Sequence, residues 1–269
     1  MFQAMLLRCS PLREVMFAIE DILTDVTFEC TTRGIDVKAM DAAGFTLVYL
    51  CLKSGGFTEY KCRRNFSTRV ILGQICTMFR AASPDDSFCM KATDNLESIL
   101  YVFQSAITKR YVWYKRKIIN MDDELLDVPN APYLCIIRMS SRELAKVCTD
   151  LSTIGKLITL STSPDSIRFT ASGNNRHVAY ELTETKPELN EENAVVINQH
   201  EPVSLTITRC YAINFVNSVP LNERVQLSMA REGPLVCEYR ISDLGYLRFY
   251  MAPKTEGDDD FQEMLEDSC

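Results

Sequence analysis

Histidine is the scarcest catalytic residue in this chain: only His177 and His200 occur, and neither stands in a pattern with Ser, Asp or Cys that suggests a triad or a metal centre. No GxxxxGK or GxGxxG string is present, so nothing points to a cradled phosphate or dinucleotide. No apolar run approaches the roughly 18 residues of a membrane span, and Met1–Leu7 lacks the charged start and cleavage site of a signal peptide. A soluble intracellular protein is expected. The 11 cysteines show no pair at zinc-ligand spacing, and several, such as Cys51 and Cys148, fall within apolar patterns, so buried free thiols are expected rather than disulfides or metal. These absences argue against an enzyme and against any cofactor.

The 269 residues leave room for two domains with sizeable cores. The net charge of −7 is unevenly spread. Residues 1–117 hold 16 Lys/Arg against 12 Asp/Glu, residues 118–134 none against 4, residues 135–254 13 against 13, and residues 255–269 none against 7. The body is therefore mildly basic, and the acidity lies in a central strap and an acidic tail expected to be disordered. The strap carries Asp122, Asp123 and Glu124, with Pro129 and Pro132 denying it a central strand. Its Leu125, Leu126 and Val128 are too apolar for a free linker, so it should lie pinned on a folded surface.

What flanks the strap repeats. A strand through Phe2, Ala4 and Leu6 leads to a helix that Ser10-Pro11 should cap and that should run to about Leu23. Beyond the strap a strand Tyr133–Arg138 leads to a helix Ser141–Ile154, where Ser140-x-x-Glu143 fits a capping box. At a fixed offset of 132 and without a gap, Leu12, Val15, Ile19 and Ile22 match Leu144, Val147, Leu151 and Ile154. Val26, Phe28, Ile35 and Val37 then match Ile158, Leu160, Ile167 and Phe169. Shorter helices are expected within Arg69–Arg80 and near Arg209–Val216. The fold class predicted is α+β: two similar domains, each strand–helix–strands done twice, with antiparallel sheets. Asp41 and Asp94, in MDAAG and TDNL, are expected to cap turns.

Particular strings resemble a known family. MFQA at the start, RNF at Arg64–Phe66, KVCTDLSTIG at Lys146–Gly155, FTASG at Phe169–Gly173, EPVSLT at Glu201–Thr206 and above all PLVCEYRISDLGYLRFYMAPK at Pro234–Lys254 are similar to the eukaryotic DNA sliding clamps of the proliferating cell nuclear antigen family. The resemblance implies domains at 1–117 and 135–254, a connecting loop at 118–134 and a tail at 255–269. It implies a homotrimeric ring around duplex DNA in the nucleus, helices lining the hole and sheets outside. DNA polymerase, a clamp loader, flap endonuclease and DNA ligase would be its partners through PCNA-interacting peptides.

By the same resemblance Arg13, Arg80, Arg110 and Lys146 take basic positions of the hole, with Arg209 one place from another. Glu14, Glu20, Thr77, Thr149 and Asn217 stand where a basic residue is common. The peptide groove would be Met40, Leu47, Leu126, Val128, Pro129, Pro234, Tyr250, Ala252 and Pro253, although Gly44, Phe45 and Thr255 depart from the family at its edge. Tyr114, Leu151, Ile154 and Val178 would form the subunit interface, where the aromatic strand YVWYKRK needs a covering edge. Two other readings compete: a subunit of the heterotrimeric checkpoint clamp, and a β-rich hydrolase using Asp122 and Asp123.

Overall fold

The structure, a computed structural model, describes residues 1–93, 95–119, 126–129, 132–173, 175–185 and 194–254. Asp94, the strap acids Asp122–Glu124, Leu125 and the tail from Thr255 lie outside the described residues. The chain divides into two compact units, one of Met1–Ala39, Val48–Leu126 and Ile241–Leu247, the other of Met40–Leu47, Asp127–Arg240 and Arg248–Cys269.

In chain order the first half runs β1 (Phe2–Leu6), α1 (Ser10–Glu20), β2 (Asp25–Thr31), β3 (Gly34–Met40), β4 (Thr46–Lys53), β5 (Glu59–Cys62), β6 (Phe66–Ile71), α2 (Leu72–Ala81), β7 (Ser87–Ala92), β8 (Ser98–Gln104) and β9 (Tyr111–Lys117). The second half runs β10 (Cys135–Ser140), α3 (Ser141–Ser152), β11 (Leu157–Ser163), β12 (Ser166–Gly173), β13 (Arg176–Thr183), β14 (Val196–Gln199), β15 (Ser204–Thr208), α4 (Ala212–Ser218), β16 (Arg224–Met229), β17 (Leu235–Ile241) and β18 (Gly245–Met251).

The duplication read from spacing is real. Subtracting 132 from the bounds of β11 returns 25–31, those of β2, and both strands alternate half-buried and buried residues in the same phase. All the paired apolar positions are buried except Ile22 and Ile154, which are half-buried in both copies. Strand order repeats as well. The run β5-β1-β7-β8-β9 has its counterpart in β14-β10-β16-β17-β18, and β6-β2-β3-β4 in β15-β11-β12-β13. The pairings β1–β7, β8–β9, β10–β16 and β12–β13 are antiparallel, as alternating half-buried strands joined by short turns require.

Each unit builds its core under a helix pair. In the first, Leu12, Val15, Met16 and Ile19 of α1 meet Leu72, Ile75 and Phe79 of α2, and the Phe79 ring lies 5.3 Å from both Phe88 and Phe103. In the second, Leu144, Val147, Cys148 and Leu151 of α3 are buried, and Tyr239 meets Phe249 edge-on at 6.2 Å. Each such side chain contributes roughly 1.5–3 kcal/mol of apolar burial.

The helices are shorter than periodicity suggested. Helix α1 stops at Glu20 rather than Leu23, because the Ile22 and Leu23 amides both turn back to the Ile19 carbonyl. Its cap is Cys9, not Ser10, and no side chain caps the helix: the Cys9 and Ser10 amides donate to Asp86 O and Pro84 O at 2.8 and 3.1 Å, so a distant turn holds the start of the helix. The capping box of α3 does not form, since Ser140 still belongs to β10 and the Ser141 amide donates to Glu223 O at 2.8 Å. Helix α2 begins at Leu72, Arg69–Ile71 being part of β6 opposite β2. Residues Arg209–Tyr211 form a 3-10 turn before α4, and the strand expected from Tyr133 starts at Cys135.

Gly34 fixes one close approach. At φ +148, a Cβ there would fall 1.9 Å from the Leu52 carbonyl oxygen, whereas Gly73 in α2 has open space around it. Gly34→Ala is expected to destabilise the protein by at least about 2 kcal/mol and Gly73→Ala to stabilise it by about 0.5 kcal/mol. Denaturant midpoints of the two variants moving the same way would contradict this packing.

Candidate nucleic-acid interface and partner groove

The basic residues expected to meet DNA differ in how much charge they leave available. Arg80, on α2, forks onto Glu20 of α1 with Nη1 3.1 Å from Oε1 and Nη2 2.5 Å from Oε2. Its guanidinium carbon and that of Arg13 each lie 5.2 Å from the centre of the Phe17 ring, a cation–π distance. Arg110 follows the left-handed Lys109 in the β8–β9 loop, and its Nη2 donates to the buried Asp86 carboxylate at 3.2 Å. In the second unit Lys146 of α3 and Arg209 of the 3-10 turn are exposed. The threonines standing at commonly basic places turn their hydroxyls inward: Thr77 Oγ1 donates to Gly73 O and Thr149 Oγ1 to Ala145 O, both at 2.7 Å. The sequence does not reveal the Glu20 and Asp86 partners, which come from another helix and another loop.

Eight of the nine residues expected to form the peptide groove belong to the second unit; Leu126 ends the Val48–Leu126 segment of the first. Asp41 holds the turn beside Met40, as MDAAG predicted. Its Oδ1 accepts from the Phe45 and Thr46 amides at 2.7 and 3.0 Å, and Gly44 supplies φ +77. The Phe45 carbonyl accepts from the Ala252 amide at 3.0 Å and from the Tyr211 hydroxyl at 3.3 Å, and Lys254 N–H reaches Thr206 O at 2.7 Å. The segment 252–254 is thereby fixed. Met40 is 43% exposed and Pro129 is exposed; Leu126, Val128, Pro234, Ala252 and Pro253 are half-buried. Leu47 and Tyr250 are buried, so they support this surface from within. Tyr211 was missed by sequence reading, and only its place in a 3-10 turn, not its type, would have pointed to it.

Among the described residues six strands end their sheets, β5, β6, β9, β13, β14 and β15; in two of them, β9, paired only with β8, and β13, paired only with β12, the end has no counterpart in the other repeat. Tyr114 of β9 is half-buried against Phe103, with ring centres 6.2 Å apart, while Tyr111 and Trp113 are 59% and 57% exposed. Beside β9 lies a cleft of about 600 Å³, lined by Gln74, Ile75 and Met78 of α2, by β6 and by Trp113–Lys117. Val178 of β13 and Ile154 are half-buried, whereas Leu151 is fully buried within the core of its own unit. Asp150 accepts a hydrogen bond from Tyr180 at 2.9 Å, which raises the Tyr180 pKa.

The counterparts of these two edges are neighbours. Strand β18, the repeat of β9, lies along β4, the repeat of β13. Lys53 N–H donates to Leu244 O at 2.8 Å inside the first unit, and Ala252 N–H to Phe45 O inside the second.

Of the described cysteines, nine are free thiols and seven of these are buried, but Cys210 is disulfide-bonded, against the expectation of free thiols; burial pushes the Cys148 thiol up to about 12, which makes it a poor nucleophile. His177 Nδ1 does meet a serine, Ser172 Oγ at 2.8 Å, but as a cross-strand pair on the β12–β13 hairpin. Among the described residues no cluster of His, Cys, Asp or Glu is arranged to hold a metal, and no helix is long and apolar enough to cross a membrane.

A duplicated α+β architecture, with paired helices under antiparallel sheets in each half, is the fold of a DNA sliding clamp. The family model for the N-terminal domain of proliferating cell nuclear antigen matches residues 1–125, and that for its C-terminal domain matches residues 127–254. The chain belongs to the proliferating cell nuclear antigen family.

Proposed function

We propose that the chain forms a homotrimeric ring that encircles duplex DNA in the nucleus, confers processivity on a replicative polymerase and docks other replication and repair proteins. The observation that carries the ring is the leftover pair of edges. Within the chain β18 and β4 are hydrogen-bonded neighbours, and their repeats β9 and β13 end their sheets. A second copy offers β13 to β9 in the arrangement the chain already uses once. Such a heterologous contact between strands of 7 and 8 residues closes into a ring or runs on as a fibre. Because both edges belong to one chain, this favours a homotrimer over the heterotrimeric checkpoint clamp. Domains of 1–117 and 135–254, joined by a connecting loop at 118–134 and followed by an acidic tail, belong to this reading, in which the chain itself catalyses no reaction.

Lys146, Arg209 and Arg13 would face phosphates without reading bases. With so few open cations, retention must come from topology. The expected outcome is weak, sequence-independent binding to linear duplex that fades near physiological salt and weakens further with Lys146→Ala. Rings loaded on closed circular DNA should survive high salt and come off when the circle is cut. Equal dissociation from circular and linear DNA would rule out this function.

For partner docking, the support is that Met40, Val128, Pro129, Pro234, Ala252 and Pro253 of the second unit are apolar residues left exposed or half-buried, with the segment 252–254 fixed by backbone hydrogen bonds. Thioether and proline surfaces accommodate many apolar anchors. Polymerase, clamp loader, flap endonuclease and ligase would each bring a PCNA-interacting peptide to these residues. Replacing Leu126 and Val128 together by Ala should abolish calorimetric binding of such a peptide and leave the assembly intact; unchanged affinity would leave these residues only the task of pinning the loop.

A further inference from the structure

On α1, Arg13, Phe17 and Glu20 follow at spacings of four and three, which puts them on one helical face. Arg80 of the packed helix α2 lies over the same face: its guanidinium meets the Phe17 ring at 5.2 Å and forks bidentately onto Glu20. The Glu20 carboxylate is 19% exposed and the Arg80 side chain 57%, so the acid is the seated partner and the arginine the open one. The buried Cys76 thiol faces the same carboxylate; burial first, then the Glu20 charge and hydrogen bond, push that thiol up to about 12. Phe17 holds Arg13 in the same cluster, and Arg13 Nε is buried without a hydrogen-bond partner.

A guanidinium fork matches carboxylate and phosphate equally in shape. An arginine already engaged by a well-seated carboxylate must surrender that pairing before it takes a phosphate, and the ion released by the DNA is then offset by a carboxylate left without its partner. The repeat in the second unit lacks this device, because position 152, at the 132-residue offset from Glu20, is Ser152, and Glu14 corresponds to Lys146.

We propose that Glu20 is a resident competitor for DNA phosphate at Arg80, which keeps that contact on the α1–α2 face closed and makes the first unit's grip on duplex weaker than the second's. The assignment rests on the clamp reading above. It makes Arg80 a latent contact and Glu20 the residue that sets how tightly the chain holds DNA.

The test measures binding of the full chain to a linear duplex across a salt series for wild type, Glu20→Gln, Arg80→Gln and the double variant, with Glu14→Gln as a control for loss of one acid elsewhere on α1. Glu20→Gln should tighten binding at low salt beyond the control and steepen the log–log salt slope by about 0.9 for each additional phosphate neutralised. Arg80→Gln alone should change little, and in the double variant the tightening should vanish. Should Glu20→Gln match Glu14→Gln, or its tightening persist without Arg80, the competitor role is overturned while retention of wild type on closed circles keeps the clamp reading intact. Failure of wild type to be retained on circles overturns both.

Discussion

An uncovered sheet edge is the constraint on which the structure turns. Backbone donors and acceptors along a strand must be paired, and a chain built from two copies of one pattern has two copies of each edge to manage. One copy is managed internally, where β18 runs along β4. The other, β9 and β13, consists of alternating exposed and half-buried residues with Tyr111 and Trp113 more than half exposed. A large aromatic on an open edge invites association, and a partner edge of matching length would cover it, beyond the protection given by Lys115, Arg116 and Lys117. Duplication supplies such a partner in a second copy, and the proposed ring of identical chains rests on that.

The charges support the same account from another side. In the proposed clamp electrostatics would hold DNA only lightly: Lys146 and Arg209 are exposed, but Arg80 and Arg110 are engaged by Glu20 and Asp86, and Thr77 and Thr149 turn their hydroxyls to their own helices. In the proposed ring, weak contact and firm retention would be compatible because escape requires opening a closed object. A lightly gripping lining also suits movement along the duplex, since each phosphate contact must break for the protein to advance.

Much of this was legible in the sequence. The gap-free offset of 132 located α1, α3, β2, β3, β11 and β12 because apolar periodicity is a local signal, and the strap stood out because Pro129 and Pro132 break any pattern. Helix ends were misread where distant backbone does the capping: Pro84 and Asp86 for α1, Glu223 for α3. Side-chain partners across elements were equally invisible. Glu20 and Arg80 are 60 residues apart, and the Tyr211 hydroxyl reaches Phe45 across 166. Leu151, an interface residue by resemblance, lies wholly inside its own core, while Tyr114 is half-open on an edge. Resemblance carries residue types forward, but only packing says which way each side chain is turned.

The most direct check on the central claim is the mass of the pure chain in solution by light scattering at micromolar concentration. If β9 of one copy covers β13 of the next, the particle has the mass of three chains of 30.6 kDa and no concentration-dependent growth. A single-chain mass would contradict the account and return the chain to a heteromeric clamp, in which other subunits supply the missing edges.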